Sequence, residues 1–449
     1  MNIYQDIFFK NLDRIRGRRT IERLHFLRRS QYWSPAKLEE WQLTRLNLLL
    51  SQAKVHSKYY ADILHDVPLP LKMLDDIEKI PILTKDNVRK NYNEIRCLNI
   101  DKNRFVAHMT GGSTGEPMHY FWDKQGQDWN RASVYRSAEW AGTALGEKSI
   151  QMSGSHFDYN QMQSIKNKIV YFLQRYRDCP VAYLDNQLLE KYFRELKIFK
   201  PASLWGYASG LAVFAKYIDA HHPNADMKFV KAVMPSSETL NRSQRELLNN
   251  IFGQGKVYDQ YGSRECYIAS ECNVHQGYHI HAEVLYVEIV DKHNRAAKPG
   301  EMGRVLITDL SNHAFPFIRY EIGDIAAKSE NEECKCGVML PMLKSVNGRI
   351  ADLVILKNRV LTAPNFTILL SDKKGIKSFQ IKQSTLDSLE VFLETDNDFT
   401  GDTLGYVKKG MHELCGDGVS LSFNIVDKIS VPQSGKRRFI ISSVSKDYI

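Results

Sequence analysis

The sequence TGGSTGEP at residues 110–117 is the stretch around which the rest of the chain is organised. The runs on either side, RFVAHM at 104–109 and MHYFW at 118–122, are rich in β-branched, aromatic and apolar residues and predict two strands. A glycine-rich loop leaves backbone N–H groups free to approach phosphate oxygens. The common P-loop pattern is missing, and a strand rather than a helix follows. From these residues alone, the loop is either a phosphate-binding loop or a plain hairpin turn.

The length of 449 residues allows about two or three domains, and the 43% hydrophobic and 25% charged content is typical of a soluble globular protein. No apolar run approaches the roughly 20 residues of a membrane span, and the N-terminus shows no signal-peptide pattern. Seven cysteines, an odd number, argue against a disulfide framework and for a reducing compartment. We therefore expect a cytoplasmic protein.

Part of the formal charge of +9 is concentrated in an N-terminal basic segment, residues 10–29. Such a segment can contact nucleic acid or an anionic membrane, or it can be a solvated helical face. No zinc-finger, RNA-recognition or helix-turn-helix signature accompanies it, so we expect no nucleic-acid partner.

The order of predicted elements indicates an α/β protein. Residues 1–65 have helical spacing, and from residue 104 onward strands alternate with helices, which predicts a mostly parallel sheet covered on both faces. Ligands bind such sheets at the carboxyl ends of the strands, where polar clusters occur at 153–156, 235–238 and 262–265. Residues 280–347 have β-type patterns that indicate a subdomain. We place a domain boundary near Gly348, which gives domains at 1–347 and 348–449.

Three further clusters combine residues suited to nucleotide binding, and a fourth cluster suggests a hinge. The YGSRE run at 261–265 offers an aromatic ring that can stack on a purine and a carboxylate that can hold Mg²⁺. The RYEIGD run at 319–324 ends in an aspartate that can accept hydrogen bonds from ribose hydroxyls. Ser434-Gly-Lys436 places a lysine on a flexible turn. Gly348-Arg349 with Asp352 is the candidate hinge.

The six motifs TGGSTGEP, SSETL at 236–240, YGSRE, RYEIGD, GRIAD at 348–352 and SGK at 434–436 together resemble the adenylate-forming ligase superfamily. The resemblance is to the phenylacetate–CoA ligase-like branch, including its relatives in bacterial capsule and polysaccharide clusters. It covers nearly the whole chain. It implies a large multi-layer N-terminal domain followed by a small, mobile α+β lid domain.

The resemblance implies a two-step reaction. A carboxylate attacks the α-phosphorus of ATP and gives an acyl-adenylate and pyrophosphate. The lid then rotates, and an acceptor, either the thiol of coenzyme A or an amine, takes the acyl group. ATP, Mg²⁺ and a small carboxylic acid are therefore expected partners, and the capsule relatives suggest a peripheral contact with membrane-associated polysaccharide machinery.

The resemblance also implies roles for individual residues. Lys436 would bridge the carboxylate and the α-phosphate, and Glu265 would hold Mg²⁺. Asp352 would act as the hinge. The nucleotide-binding residues would be Thr110, Gly111, Gly112, Ser113, Thr114, Gly115, Ser237, Glu238, Tyr261, Gly262, Asp324 and Arg349. Candidate acyl-pocket residues are His156, Trp205 and Tyr207, with a turn histidine and core aromatics as the alternative interpretation.

The chain departs from the family pattern at three places. Glu116 stands where the usual loop has lysine, and Ala351 stands where the hinge usually has the first of two acids. Residues 357–359 lack a glycine that lies near the thiol tunnel in the resembling enzymes. These departures keep two alternatives open: transfer to an amine, such as an amino acid or amino sugar in surface-polysaccharide assembly, and a non-catalytic scaffold that retains the fold.

The cysteines suggest a structural zinc site. Cys334 and Cys336 form a tight pair, and Cys272 precedes three closely spaced histidines. Two separated Cys/His clusters suit a closed tetrahedral zinc site that ties the β subdomain to the main sheet. The predicted ligands are Cys272, His279, Cys334 and Cys336, with His275 as an alternative to His279. Reduced thiols beside unrelated histidines are the other interpretation.

Overall fold

The computed structural model describes residues 8–99, 105–109, 118–152, 171–181, 184–331, 333–349, 353–357, 359–361, 363–370, 373–416, 418–429 and 439–444. Helices dominate the N-terminal segment, as predicted. They are α1 (Lys10–Ile15), α2 (Thr20–Ser30), α3 (Pro35–His56), α4 (Lys58–Ile63), α5 (Lys85–Lys90) and α6 (Tyr92–Ile95), with a 3₁₀ turn at Leu74–Lys79. The Ser34 hydroxyl accepts a hydrogen bond from the Lys37 N–H, and Pro35 opens α3, so Ser34 caps the N-terminus of this helix.

The two runs that flank the glycine-rich loop form an antiparallel hairpin, as predicted. Its strands are β1 (Phe105–Met109) and β2 (His119–Asp123), with Met109 opposite His119. Helix α7 (Lys124–Trp140) follows, and the Asp123 carboxylate caps its first turn.

The N-terminal basic segment packs against α7. The Arg18 guanidinium lies 3.5 Å from the Asp128 carboxylate, and Arg28 Nε donates to Glu139 Oε2 over 2.9 Å. The Arg23 guanidinium lies 4.5 Å from the centre of the Trp129 ring. Part of this segment's charge therefore stabilises an internal interface.

Within the described residues, the large part of the chain is built on one mixed sheet of eleven strands. The strands in chain order are β3 (Ser149–Met152), β4 (Tyr176–Asp178), β5 (Ser203–Tyr207), β6 (Ala232–Ser236), β7 (Gln260–Gly262), β8 (Tyr267–Glu271), β9 (Tyr278–Ile280), β10 (Leu285–Val290), β11 (Met302–Asp309), β12 (Tyr320–Lys328) and β13 (Met342–Arg349). Their spatial order is β10-β11-β12-β13-β9-β8-β7-β6-β5-β3-β4.

The sheet changes character at β7. Strands β4, β3, β5, β6 and β7 run parallel to one another, whereas the pairs from β7–β8 onward are antiparallel. Among the described residues, helices α8 (Asn186–Phe199), α9 (Ala208–His221) and α10 (Arg242–Phe252) accompany the parallel strands. The antiparallel strands include the predicted β subdomain, and they continue the same sheet. The carboxyl ends of β6 and β7 bring the 237–238 and 261–265 segments to one edge.

The C-terminal part forms a smaller α+β unit with its own core. A β14 (Val354–Leu356) and β15 (Arg359–Leu361) hairpin leads to α11 (Ala363–Leu370). Then follow β16 (Ile376–Thr385), β17 (Ser388–Thr395), α12 (Gly401–Cys415), β18 (Ser420–Val426) and β19 (Ile440–Ser442). The sheet order is β18-β17-β16-β19, and α12 buries Val407 and Met411. The predicted α/β fold class, with a large sheet domain and a smaller C-terminal domain, is confirmed.

Candidate functional site

Several predicted site residues lie outside the described residues. These are the loop residues Thr110 to Gly115 with Glu116, the pocket residue His156, the hinge residue Asp352 and the lysine Lys436. Their roles stay predictions.

The YGSRE and RYEIGD motifs meet through two tyrosine–carboxylate hydrogen bonds. The Tyr261 hydroxyl, at the end of β7, donates to Asp324 Oδ2 over 3.0 Å. In return, the Tyr320 hydroxyl, at the start of β12, donates to Glu265 Oε1 over 3.1 Å. The two motifs are separated in sequence, and the sheet brings their carboxylates into one site.

Asp324, on β12, is positioned by groups on two other strands and on helix α5. It lies opposite Arg349 in the β12–β13 register, and the Arg349 Nε lies 3.8 Å from Asp324 Oδ1. Burial raises the pKa of Asp324, while the charges of Arg349 and Lys85 and the hydrogen bond from Tyr261 oppose that shift. The predicted ribose pair is therefore brought together.

Both ends of the glycine-rich loop are anchored at this site. Arg264 Nη1 donates to the carbonyl oxygen of Met109, the residue before the loop, over 3.0 Å. The Tyr320 hydroxyl also lies 3.6 Å from the sulfur of Met118, the first residue after Pro117, and Met118 is fully buried. The hydroxyl that contacts Glu265 thus also contacts the exit of the loop. These contacts confine the loop ends to the vicinity of Glu265.

The turn after β6 adjoins the same edge. Ser237 has a left-handed backbone, with φ of 67°, and the Glu238 carboxylate accepts a hydrogen bond from the Ser209 N–H over 2.8 Å. Ser209 lies in the first turn of α9, so the N-terminus of that helix fixes the Glu238 side chain. Gly262 is required for close approach, because a Cβ there would lie 3.0 Å from the Cys266 carbonyl oxygen.

The weak acyl-pocket residues differ in their surroundings. Trp205 packs against a small buried cluster that contains Met234 and Tyr258, and its indole N–H donates to the Ser203 hydroxyl. This packing favours the core interpretation for Trp205. Tyr207 is half-buried and immediately precedes α9.

One cation at the site was missed by the motif comparison. Lys85 opens α5, and its charge acts on the pKa of Asp324. The only sequence signal was a lysine after the extended run PILT at 81–84, which resembles an ordinary helix start.

The four predicted zinc ligands come together in a second cluster. One donor atom each from Cys272, His279, Cys334 and Cys336 lies within 4.8 Å of the others. Cys272 Sγ lies 3.7 Å from Cys334 Sγ, and His279 Nε2 lies 3.2 Å from Cys336 Sγ. Cys272 and His279 come from the β8–β9 region, whereas the other two lie between β12 and β13.

The geometry of this cluster fits a tetrahedral zinc ion. With Zn–S bonds of about 2.3 Å, two sulfurs in a tetrahedron lie about 3.8 Å apart, close to the 3.7 Å found between Cys272 and Cys334. His279 Nδ1 lies 3.4 Å from the Leu340 carbonyl oxygen, a contact that leaves Nε2 facing the thiols. The hydrogen bond from Cys272 lowers the pKa of Cys336, which favours a thiolate there.

The alternative ligand His275 lies elsewhere. Its Nδ1 is 3.4 Å from Glu271 Oε2 and its Nε2 is 3.2 Å from the Gly255 carbonyl oxygen. His281 belongs to a buried network with Arg136 and Glu283. Of the three histidines after Cys272, the structure therefore brings His279 to the thiols.

Comparison with known proteins finds the resemblance that the motifs indicate. Residues 356–443 match the CapK C-terminal domain family. The chain is 26% identical over 430 residues to protein CapK of Staphylococcus aureus, covering 91% of this chain and 90% of CapK. It is 23% identical over 380 residues to the phenylacetate-coenzyme A ligase of Thermus thermophilus, covering 81% and 82%.

A solved structure of 2-hydroxyisobutyryl-CoA ligase, in the postadenylation state with R3-HIB-AMP, superimposes with a TM-score of 0.73. It is 18% identical, over 93% of this chain and 92% of that one. The fold is therefore that of the adenylate-forming ligases. The predicted resemblance to the phenylacetate–CoA ligase-like branch, with its capsule-locus relatives, is confirmed.

Among the described residues, every helix is too short or too polar to cross a lipid bilayer. The seven cysteines are all free.

Proposed function

We propose that this protein is an AMP-forming acid ligase, which activates a carboxylic acid with ATP as an acyl-adenylate and releases pyrophosphate. The observation that carries the proposal is the convergence of Glu265 and Asp324 beside the two anchored ends of the glycine-rich loop. The relatives named above support it, because they include acyl-CoA ligases and one is bound to an acyl-adenylate. The acceptor in the second step is the thiol of coenzyme A.

At the ribose end, Asp324 is the acceptor for the sugar hydroxyls. Tyr261 and Arg349 hold the carboxylate in one orientation before the nucleotide arrives, and this preorganisation lowers the cost of binding. The Tyr261 ring, together with the turn at Ser237 and Glu238, frames the adenine base.

At the phosphate end, the loop N–H groups bind phosphate oxygens, whereas Glu265 binds a cation. Glu265 is 3% exposed, and one of its oxygens accepts the Tyr320 hydrogen bond. No described residue donates a hydrogen bond to its other oxygen, so that oxygen suits a cation. Mg²⁺ bound there would offset charge on the polyphosphate. Lys436 would neutralise the charge that develops at the α-phosphate during attack.

We further propose that Cys272, His279, Cys334 and Cys336 hold a structural Zn²⁺. All four ligands come from the protein, as in closed structural sites rather than catalytic ones. The ion would join the loop between β12 and β13 to the β8–β9 strands. It would thereby brace the strand that carries Asp324 against the strand that follows Glu265.

Two features of the chain bear on the alternative functions, which are transfer to an amine and a non-catalytic scaffold. Residues 357–359 lack the glycine expected beside the thiol tunnel, which favours an amine acceptor as the second candidate. The non-catalytic scaffold is disfavoured, because a scaffold has no need to keep two buried carboxylates in hydrogen-bonded positions.

The free cysteines support a reducing compartment, and we propose the cytoplasm. The described residues give no support to a contact with membrane-associated polysaccharide machinery.

Pyrophosphate release from ATP, followed across a panel of carboxylic acids, tests the first step, with Lys436→Ala as control. We expect release with at least one acid and its loss in the variant. Absence of pyrophosphate release with every acid, or equal release by the variant, would refute the proposal. Adding coenzyme A or candidate amines and identifying the product by mass spectrometry separates the two acceptors.

A further inference from the structure

The candidate site contains a cation that the proposed roles do not use. Lys85 is the first residue of α5, where Thr84 and Asn87 form a reciprocal capping box. The residue two positions earlier, Leu83, pairs with β12: its N–H donates to the Arg319 carbonyl over 3.0 Å, and its carbonyl accepts from the Glu321 N–H over 2.9 Å. The backbone before Lys85 is therefore fixed to the strand that carries Asp324.

The Lys85 side chain reaches the Gly323–Asp324 segment of that strand. Its ammonium nitrogen lies 4.0 Å from the position that a Cβ on Gly323 would occupy, next to Asp324. Gly323 has a left-handed φ of 89°, so a side chain there would be strained whatever the space. Because Gly323 has no side chain, the Lys85 ammonium lies beside the backbone of that residue.

Among the described residues, the Lys85 ammonium has no direct hydrogen-bond acceptor. The side chain is half-buried, and no described residue accepts a hydrogen bond from it or lies within ion-pair distance. Burial lowers the pKa of Lys85, and the charges of Glu265 and Asp324 oppose that shift. A partly desolvated ammonium that lacks a hydrogen-bond acceptor is costly, and it suits an anionic ligand that supplies one.

The charge balance of the site points the same way. The carboxylates Glu265 and Asp324 and the guanidinium of Arg349 all act on the charge of Lys85 before any phosphate is bound. The loop adds Glu116 where the resembling family has lysine. The loop position itself therefore offers a phosphate no cation, and Lys85 is a described cation that is placed to offer one.

We propose that Lys85 binds the phosphate nearest the ribose, which is the α-phosphate of ATP and the phosphate of the acyl-adenylate. This inference rests on the proposed function. The place of Lys85 beside Gly323 and Asp324 assigns it to the ribose-proximal phosphate rather than to the distal ones. Unlike Lys436, it lies in the large sheet-containing part of the chain, so it stays with the adenylate when the lid rotates.

The test is calorimetric binding of AMP and adenosine to the full chain, because the two ligands differ only in that phosphate. Lys85→Met should weaken AMP about tenfold, as expected for loss of one charge-assisted hydrogen bond, and leave adenosine within about twofold. Lys85→Arg should restore most of the AMP affinity. Lys90→Met is the matched control, because Lys90 is exposed at the other end of the same helix.

The outcomes separate this inference from the proposed function. Equal loss of AMP and adenosine, or no loss of either, would make Lys85 a structural counterion of the carboxylates and overturn the inference alone. If the wild-type chain binds neither ligand, both proposals fall.

A wild-type measurement covers the case in which Lys85→Met does not fold. Lysines are labelled by reductive methylation with AMP or adenosine present, and peptides are quantified by mass spectrometry. We expect AMP to reduce labelling at Lys85 severalfold relative to adenosine, with Lys90 unchanged. Equal labelling of Lys85 with both ligands contradicts the inference.

Discussion

Replacing Tyr261 by phenylalanine removes one hydrogen bond from Asp324 and keeps the aromatic ring. The lost bond, 3.0 Å long, runs from a buried hydroxyl to a carboxylate whose side chain is 15% exposed. A hydrogen bond to a charged group contributes about 1.5–3 kcal/mol, and one pKa unit corresponds to about 1.4 kcal/mol. Since Arg349 and Lys85 still favour the carboxylate, we take the low end and expect the pKa of Asp324 to rise by about one unit.

The sign of the pH effect follows from the proposed role. Ionised Asp324 is a stronger acceptor for the ribose hydroxyls than the protonated acid, in which one oxygen becomes a donor, so nucleotide affinity falls as pH drops through its pKa. Burial already places that pKa above the ordinary value of 3.8. In the Tyr261→Phe variant, the loss on acidification should therefore begin about one pH unit higher.

The assay is calorimetric binding of AMP at a series of pH values from neutral downward. Tyr217→Phe is the matched control, because the Tyr217 hydroxyl donates to Glu190 over 2.9 Å on helices α8 and α9, away from the site. Its profile should coincide with that of the wild type. A Tyr261→Phe profile that also coincides with the wild type would refute the placement of Asp324 at the ribose.

Three further predictions concern the metal cluster, the core and the loop. His279→Ala should reduce zinc in protein never exposed to chelator below about half an equivalent, whereas His275→Ala should retain it; equal zinc in both would contradict the ligand set. The ion pair of Arg136 and Glu283, 2.6 Å long and 0% exposed on both sides, should cost about 3–5 kcal/mol of unfolding free energy when Glu283→Gln breaks it. A loss under about 1 kcal/mol in urea unfolding would be too small for that burial. Glu116→Lys should leave pyrophosphate release intact or raise it, and its abolition in a folded variant would contradict the account of the loop.

The elements of the site with strong local patterns were predictable from the sequence. The strands around the glycine-rich loop follow from their β-branched and aromatic residues, and α3 follows from its proline at the first position and its helical spacing. The motif order predicted that Tyr261, Glu265 and Asp324 serve one site, and the sheet brings these residues together.

Local sequence patterns do not predict which strands pair when they are far apart in the chain. Strand β8 lies between two cysteines and is only five residues long. Its sequence therefore does not predict that strand pairing changes from parallel to antiparallel at this point. The choice between His275 and His279 depends on β9 pairing with both β8 and β13. Lys85 was missed because the pairing of Leu83 with Tyr320, which places it at the site, joins distant parts of the chain.

Isotope exchange between radiolabelled pyrophosphate and ATP measures whether the chain activates a carboxylic acid with ATP. The exchange requires reversible adenylate formation and no acceptor, so it is independent of the choice between thiol and amine. Label should enter ATP only when a suitable carboxylic acid is present, and Asp324→Ala should abolish the exchange. Exchange that needs no acid, that survives Asp324→Ala unchanged, or that fails with every acid in a broad panel would contradict the proposed activation.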